Sequence, residues 1–175
     1  MIPVEIERKF LVTSRDCSGL GPGRLIRQAY LSQRGGVTVR VRCSGQKAWL
    51  TVKSRTGRIS QAEFEYEIPT DHAEFLMATG RHPPIKKIRY KVSVGGLDWV
   101  VDEFLGANAG LVLAEIELDD PNQNFAIPTW LGQEVSGDPR YRNSSLYRRP
   151  LSQWKQRDDT HLVMPATKTL MVNRR

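Results

Sequence analysis

Residues 1–10 of the chain read MIPVEIERKF, and the alternation within this stretch predicts a β-strand with an unusual charged face. Successive side chains of an extended strand point to opposite faces. Glu5, Glu7 and Lys9 would therefore share one face, while the residues between them take the other. Like charges on one face repel each other, and a solvated face does not need them. The stretch therefore indicates a charged site.

The same two-residue period recurs along most of the chain. Eight segments are candidate strands, at about residues 3–11, 26–33, 37–43, 47–54, 60–68, 85–94, 97–104 and 111–118. Seven of them place charged residues on one face and apolar residues on the other, whereas the strand at about 26–33 has a polar face. Charges of one sign recur within a strand, as in Arg40 and Arg42, and the sign changes in another strand, as in Glu63 and Glu65.

Turn and helix signals separate these strands. Paired glycines at 35–36 and 95–96 each lie between two alternating runs, as tight hairpins require. One helix is predicted at about 71–79, where Asp71 and Glu74 match the spacing of a capping box. The succession of hairpins with few helices predicts an antiparallel sheet.

Two architectures fit such a sheet. An open sheet with one face on a core and one in water is the simpler. Eight strands are also enough to close a barrel whose interior holds side chains or one small ligand. The dense, sign-ordered charges favour closure with the charged face inward. The predicted fold class is α+β, mainly β, with an eight-stranded antiparallel β-barrel, a charged interior and helices packed outside.

A tunnel lined by charges of both signs suits a bound polyanion with metal ions, because charge taken out of water must be paired. Arginine binds phosphate oxygens through two N–H donors, and lysine acts as a point charge. Carboxylates cannot bind phosphate directly, but they hold divalent cations through oxygen ligands. Glu5-x-Glu7-x-Lys9 therefore fits one edge of a mixed site for metal and phosphate.

The overall composition narrows the class of protein. The chain has 175 residues, of which 39% are hydrophobic and 26% charged, so it can bury a core. No stretch approaches the roughly 18 uninterrupted apolar residues of a membrane span, and we expect no secretory signal. Cys17 and Cys43 form no C-x-x-C pair, so we expect free thiols and a cytoplasmic location. The net charge of +7 attracts anions in general but does not choose among them.

The chain is expected to form one domain over residues 1–150, followed by a tail over residues 151–175. A second helical segment is expected within residues 122–150. The tail is polar and lacks a clear period. It is either docked on the domain or flexible.

The charged residues resemble those of a known family. Glu5-Ile6-Glu7-Arg8-Lys9 matches the ExExK signature of the CYTH superfamily, also called triphosphate tunnel metalloenzymes. The partners of this signature follow in the expected order: Arg40-x-Arg42, Lys53, Glu63-x-Glu65, Lys87-x-Arg89, Asp102 and Glu115-x-Glu117. Residues 134–143 look like the family's late conserved stretch. The resemblance covers about residues 3–147.

The resemblance implies an eight-stranded antiparallel tunnel, a small-molecule substrate with a triphosphate group, and dependence on Mg²⁺ or Mn²⁺. Residues 27–31, Arg-Gln-Ala-Tyr-Leu, look most like the inorganic triphosphatase group. The reaction expected is hydrolysis of inorganic triphosphate to diphosphate and phosphate.

The resemblance also implies a role for each charged position. The substrate-binding residues are Lys9, Arg40, Arg42, Lys53, Lys87 and Arg89. The metal ligands are Glu5, Glu7, Asp102, Glu115 and Glu117, with Glu63 as a possible addition. The catalytic residues are Lys9, Tyr30 and Glu65, where Tyr30 contacts the leaving group or the water.

Two other functions remain open at this point. One is an enzyme for an organic triphosphate, namely a thiamine triphosphatase, a nucleoside triphosphatase or a class IV adenylyl cyclase. The other is a non-catalytic binder of polyphosphate or nucleic acid. Duplex nucleic acid would be repelled by the acidic strands, so we do not expect a nucleic-acid partner. We also expect no membrane partner. The sequence leaves open whether the protein is a monomer or a homodimer.

Overall fold

The computed structural model describes residues 4–13, 20–55 and 60–154. Within these ranges the strands are β1 (Val4–Val12), β2 (Arg24–Arg34), β3 (Val37–Ser44), β4 (Lys47–Arg55), β5 (Ser60–Ile68), β6 (Ile85–Val94), β7 (Leu97–Phe104), β8 (Val112–Leu118) and β9 (Leu131–Glu134). The helices are α1 (Thr70–Ala78) and α2 (Asn143–Arg148), with short 3-10 helices at 106–108, 139–141 and 151–153. The eight predicted strands are confirmed, and their ends shift by at most two residues.

All strand pairings in the described ranges are antiparallel, and they run in the order β5-β4-β3-β2-β6-β7-β8-β1-β9. β1 pairs with β8 along one edge. Along its other edge it pairs with β5 only from Val4 to Ile6, and then with β9 from Phe10 to Val12. The pairings therefore follow a ring, but no continuous hydrogen-bonded ladder closes it at β1. The fold class is confirmed, with a seam at β1.

The strand register places residues of opposite charge beside each other. Lys53 lies directly opposite Glu63 across β4 and β5, and Arg89 lies opposite Asp102 across β6 and β7. Such cross-strand pairs attract each other and stabilise the register. A shift by one residue would turn every charged side chain to the other face of the sheet.

The apolar face of the sheet points outward and is covered over much of its area. α1 and α2 contribute Ala73, Met77, Leu146 and Tyr147 to a buried cluster that includes Val41 of β3. A second cluster lies around Trp99 of β7, where loop residues after β8 cover the sheet. The prediction of an apolar exterior under helices is therefore confirmed for α1 and α2. Aromatic side chains of the loop, rather than a helix, cover the second cluster.

The paired glycines form the predicted hairpin turns. Gly35 and Gly36 have φ of 60° and 78°, and Gly95 and Gly96 have φ of 62° and 80°. Two consecutive residues with positive φ are typical of the two-residue turns that match the twist of a hairpin. Residues with a Cβ rarely adopt this conformation, so the glycines fix the turn.

The predicted capping box of α1 is wrong. Pro69 occupies the N-cap position, Asp71 lies inside the first turn, and no side chain caps the helix. Proline fixes φ near the helical value and here sets where the helix begins. Asp71 still lies near the helix N-terminus, where a negative charge is favourable.

The region after β8 is mostly irregular. α2 falls within the predicted helical segment, but it has only six residues, and β9 was not predicted. Trp154 packs its ring 5.4 Å from the ring of Tyr141, so the start of the predicted tail contacts the domain. The rest of that tail, residues 155–175, lies outside the described residues, and the proposed division at 150 stays a prediction. In the described part of the chain, the helices are too short and too polar to cross a membrane.

Candidate active site

The inner face of the sheet surrounds a cavity of about 550 Å³. Most of the residues that the sequence predicted for the site line this cavity. They are Glu7, Lys9, Tyr30, Arg40, Arg42, Lys53, Glu63, Glu65, Arg89, Glu115 and Glu117. The strand period predicted that these residues share one face of the sheet, and that face points into the cavity.

One wall is built by β3, β4 and β5, where Arg40, Thr51 and Glu65 occupy one cross-strand row. An Nη atom of Arg40 lies 3.1 Å from Thr51 Oγ1 and 3.3 Å from a carboxylate oxygen of Glu65. The hydroxyl of Thr51 donates to the same oxygen of Glu65 at 2.9 Å. Thr51 therefore holds the arginine and the carboxylate together.

Two further cations belong to this wall. Arg42 donates to both carboxylate oxygens of Glu65, at 2.8 and 3.0 Å. Lys53 forms an ion pair with Glu63, its cross-strand neighbour. The Nε atoms of Arg40 and Arg42 are buried and have no hydrogen-bond partner among the described residues. Two orphaned donors beside a charged cavity suit a ligand rich in acceptor oxygens.

The opposite wall is built by β1 and β8. Lys9 Nζ lies 2.9 Å from Glu7 and 2.7 Å from Glu115, which is its cross-strand neighbour. Burial alone would lower the pKa of Lys9, but Glu115 and Glu7 outweigh burial and hold that pKa above its usual range. Burial would likewise raise the pKa of Glu115, and Lys9 outweighs it, so the pKa is lowered. Both groups are therefore charged at neutral pH.

Asp102 of β7 lies behind the cavity wall and binds two side chains of β6. Arg89 binds its carboxylate through two hydrogen bonds of 2.7 Å, and Lys87 Nζ lies 2.5 Å from it. Lys87 also donates to the side chain of Asn143 at 3.2 Å. Asp102 and Lys87 are almost completely buried, and neither lines the cavity. Of this cluster, Arg89 faces the cavity and the two buried residues hold it in place.

Burial dominates the titration of two other groups in the site. It lowers the pKa of Lys87 to about 8, and Asp102 opposes this change. It raises the pKa of Tyr30, against the opposing effect of Arg40. Tyr30 is therefore protonated at neutral pH, so its hydroxyl is able to donate a hydrogen bond.

The segment between β9 and α2 forms a side of the cavity that the strand pattern did not reveal. It contributes Ser136, Asp138 and Arg142 to the lining, and the first residues of α2 add Asn143 and Ser144. Lys9 connects to this segment, because its backbone N–H donates to Ser136 Oγ at 2.9 Å and its carbonyl accepts from the N–H of Val135. No alternation marks these residues, and the only signal was the resemblance of residues 134–143 to a conserved stretch.

Two carboxylates could contribute oxygen ligands to a metal. Glu7 and Glu117 are cross-strand neighbours of like charge, and both line the cavity. Such a pair is stabilised by nearby cations, and Lys9 Nζ lies 2.9 Å from Glu7. Among the side chains that the structure describes, no three carboxylate, histidine or cysteine groups converge on a metal position, and the side chain of Glu5 lies outside that set. The donors fit Mg²⁺, which often takes one or two carboxylates together with substrate phosphates.

The fold agrees with comparisons to known proteins. A family model described as the CYTH domain matches residues 3–149, and the chain belongs to this family. An inorganic triphosphatase of Acetivibrio thermocellus is 48% identical over 153 residues, which are 87% of this chain and 98% of that protein. An inorganic triphosphatase of Nitrosomonas europaea is 36% identical over 147 residues, which are 81% of this chain and 95% of that protein.

Solved structures support the same assignment. The crystal structure of the inorganic triphosphatase NE1496 matches with a TM-score of 0.63 at 32% identity. The match covers 84% of this chain and 95% of that chain. The resemblance inferred from the ExExK signature is therefore confirmed.

Proposed function

We propose that this protein hydrolyses inorganic triphosphate to diphosphate and phosphate inside the cavity, with Mg²⁺ or Mn²⁺. The observation that carries this proposal is the pairing of cations and carboxylates around one space of about 550 Å³. The inorganic triphosphatases that match almost the full length of the domain favour an inorganic substrate. An organic triphosphate has no comparable support and serves as an arm of the experiment.

The cations of the site form ion pairs with its carboxylates, and substrate binding would exchange these pairs. Arg40 and Arg42 both contact Glu65. A triphosphate offers more acceptor oxygens than one carboxylate and binds guanidinium groups through two N–H donors. Arg40 and Arg42 are assigned to hold the phosphoryl chain, with Lys53 and Arg89 as further cations along the cavity.

This exchange would release Glu65 from the two arginines. Its carboxylate is then available to orient a water molecule for attack on a terminal phosphorus atom. The water oxygen forms a bond to that phosphorus, the bridging P–O bond breaks, and the diphosphate leaves with the electron pair of that bond. A proton of the attacking water passes to the solvent or to the leaving diphosphate. Phosphoryl transfer of this kind depends mainly on positioning and on stabilising charge.

Lys9 and Tyr30 are assigned supporting parts that follow from their protonation. The raised pKa of Lys9 keeps it cationic, so it stabilises negative charge and does not act as a base. The raised pKa of Tyr30 keeps its hydroxyl protonated, so it donates a hydrogen bond to a phosphate oxygen or to the water. Lys87 and Asp102 are assigned a positioning role, because Asp102 binds Arg89 and Lys87 binds Asp102.

Glu7 and Glu117, together with Glu5, are assigned to hold the metal. Glu115 and Glu63 line the same cavity and are assigned as additional ligands. A bound divalent cation would neutralise phosphate charge and lower the pKa of a coordinated water. Asp102 is less suited to this part than the sequence suggested, because its oxygens bind Arg89 and Lys87.

The experiment that tests this function measures phosphate release from a panel of substrates. Inorganic triphosphate, diphosphate, ATP and thiamine triphosphate are each supplied with Mg²⁺, Mn²⁺ or EDTA. We expect release from inorganic triphosphate to be fastest and to stop in EDTA. A higher kcat/KM for ATP or thiamine triphosphate would replace the proposed substrate, and binding of triphosphate without turnover would indicate a non-catalytic protein.

A further inference from the structure

The charged cavity of about 550 Å³ is called the tunnel from here on. A second cavity lies outside the tunnel, between the end of β2 and α2. Its volume is about 400 Å³, within the range of about 300–1,000 Å³ that small-molecule sites occupy. Tyr30 contributes to the lining of both cavities, so one side chain separates them. The proposed hydrolysis makes no use of this second space, which we call the outer pocket.

Three chain segments meet at Tyr147 to frame the outer pocket. The ring of Tyr147 lies 5.5 Å from the ring of Tyr30 and 5.2 Å from that of His82. The backbone N–H of His82 donates to the Tyr147 hydroxyl at 3.1 Å. At Gly80 an added Cβ would lie only 2.4 Å from that hydroxyl, so glycine permits the close approach. The side-chain amide of Gln33 donates to the carbonyl of Ser144 and ties β2 to α2.

The charge of the outer pocket differs from that of the tunnel. Arg34, Arg81 and Arg148 line it together with His82, and no acidic residue is among the described residues of its lining. Within the described part of the chain, none of these three arginines has a carboxylate within ion-pair distance. In the tunnel, by contrast, Arg40, Arg42, Lys53 and Arg89 each contact a carboxylate.

We propose that the outer pocket is a second anion site, which binds a small phosphorylated molecule independently of the tunnel. Guanidinium groups recognise phosphate through paired N–H donors, and three of them without internal partners supply several such donors. The size of the pocket allows either inorganic diphosphate or the phosphate group of an ester. These two ligands share the chemistry that the arginines recognise, and binding measurements separate them.

The test uses a background in which tunnel binding is disabled. An Arg40→Gln/Arg42→Gln double variant is titrated by calorimetry, in EDTA, with inorganic diphosphate in one arm and AMP in the other. We expect one saturable site for at least one probe. Adding Arg34→Gln, Arg81→Gln and Arg148→Gln to this background should weaken binding by about tenfold or more, since charge-assisted bonds to phosphate are among the strongest hydrogen bonds.

A matched control removes three other positive charges. Arg27, Lys47 and Lys86 lie outside both cavities, so replacing all three by glutamine in the same background should leave affinity within about twofold. The proposal is overturned if the double variant binds neither probe at millimolar concentration. Equal affinity with and without the three pocket arginines overturns it as well.

A second measurement does not depend on the combined variants folding. Amide chemical shifts of the Arg40→Gln/Arg42→Gln protein are recorded during titration with whichever probe binds. We expect the largest changes at residues 32–34, at His82 and at Tyr147. Changes confined to the tunnel strands would contradict the outer pocket. The Arg34→Gln/Arg81→Gln/Arg148→Gln variant, with an intact tunnel, should still hydrolyse triphosphate, so this proposal fails separately from the proposed function.

Discussion

Thr51 shows what the strand period predicts and what it leaves out. The period places Thr51 on the same face as Lys53, toward the cavity, but an uncharged residue gives no signal of a functional role. The structure shows Thr51 to be fully buried, with its hydroxyl between Arg40 and Glu65. A cross-strand register of three strands was needed to bring these groups together, and a single strand's sequence does not contain that register.

Replacement of Thr51 by valine tests this contact. Valine keeps the shape and removes the hydroxyl, so Arg40 and Glu65 each lose a partner. The loss at the buried Arg40 should cost about 1–3 kcal/mol. We expect kcat for inorganic triphosphate to fall by roughly tenfold while far-UV circular dichroism is unchanged. Thr129→Val, at an exposed position, is the control and should keep native kcat. Native kcat in Thr51→Val would show that the hydroxyl does not organise the site.

Glu117 allows a test of the metal assignment at a single residue. Glu117→Gln keeps the size of the side chain and removes one charge from the Glu7–Glu117 pair. Since even outer partners of metal ligands typically contribute about 10–100-fold to metal affinity, the Mg²⁺ concentration for half-maximal rate should rise at least tenfold. Glu103→Gln, which lies outside the cavity lining, should leave the Mg²⁺ dependence unchanged. An identical dependence for both variants would remove Glu117 from the metal site.

At the scale of elements, β9 completes the edge of β1 that β5 leaves unpaired. β5 pairs only with the first residues of β1, and β9 pairs with its last residues. Between these two pairings, the backbone of Lys9 forms hydrogen bonds with Val135 and Ser136. The chain after β9 therefore continues the cavity wall beside Lys9. The short β9 carries no alternation of charged and apolar residues, and for that reason the sequence did not predict it.

Gly132 is the residue that lets β9 lie against β1. An added Cβ would be 2.5 Å from Thr13 Cγ2 and 3.0 Å from the carbonyl oxygen of Leu11. Gly132→Ala should therefore lower the free energy of unfolding by about 1–3 kcal/mol, the usual cost of overpacking. Urea denaturation measures this change, and Gln133→Ala, an exposed neighbour on the same strand, should be close to neutral. Equal stability of the two variants would mean that β9 moves away without cost.

The alternation predicts which face of the sheet each charged residue lies on, but it does not predict how deeply the side chain is buried. Lys87 and Arg89 share a face of β6, yet Lys87 is 1% exposed and Arg89 lines the cavity. The difference arises because Asp102 and Asn143 cover Lys87 from other elements. The sequence therefore predicted the fold and the charged residues of the strands that line the cavity, whereas the division between lining and supporting residues depends on three-dimensional packing.

At the scale of the whole molecule, the buried ion pairs link stability to pH. The pKa of Asp102 and that of Glu115 are both lowered from ordinary values of 3.8 and 4.5, because nearby cations outweigh burial. Groups with a lowered folded pKa stabilise the protein above the unfolded pKa and lose that contribution as pH falls. We expect the free energy of unfolding to fall as pH drops below about 4.5.

A comparison of two variants separates this effect from general acid sensitivity. Glu115→Gln removes one of the lowered groups, so its stability difference from the native protein should narrow as the pH falls. Glu67→Gln, at an exposed position, should show a small difference at every pH. Urea denaturation between neutral and acid pH gives these values. A constant difference for Glu115→Gln would show that its carboxylate does not stabilise the fold through charge.

The proposed hydrolysis requires that the inward charges, and not the outward ones, act on triphosphate. Arg42 faces the cavity, and Arg27 of β2 lies outside it and pairs with Glu74 of α1. The most direct measurement is kcat/KM for inorganic triphosphate in Arg42→Gln and Arg27→Gln. We predict a fall of about 100-fold or more for Arg42→Gln, the scale of losing one transition-state donor, and native values for Arg27→Gln. Equal values for the two variants would contradict the account.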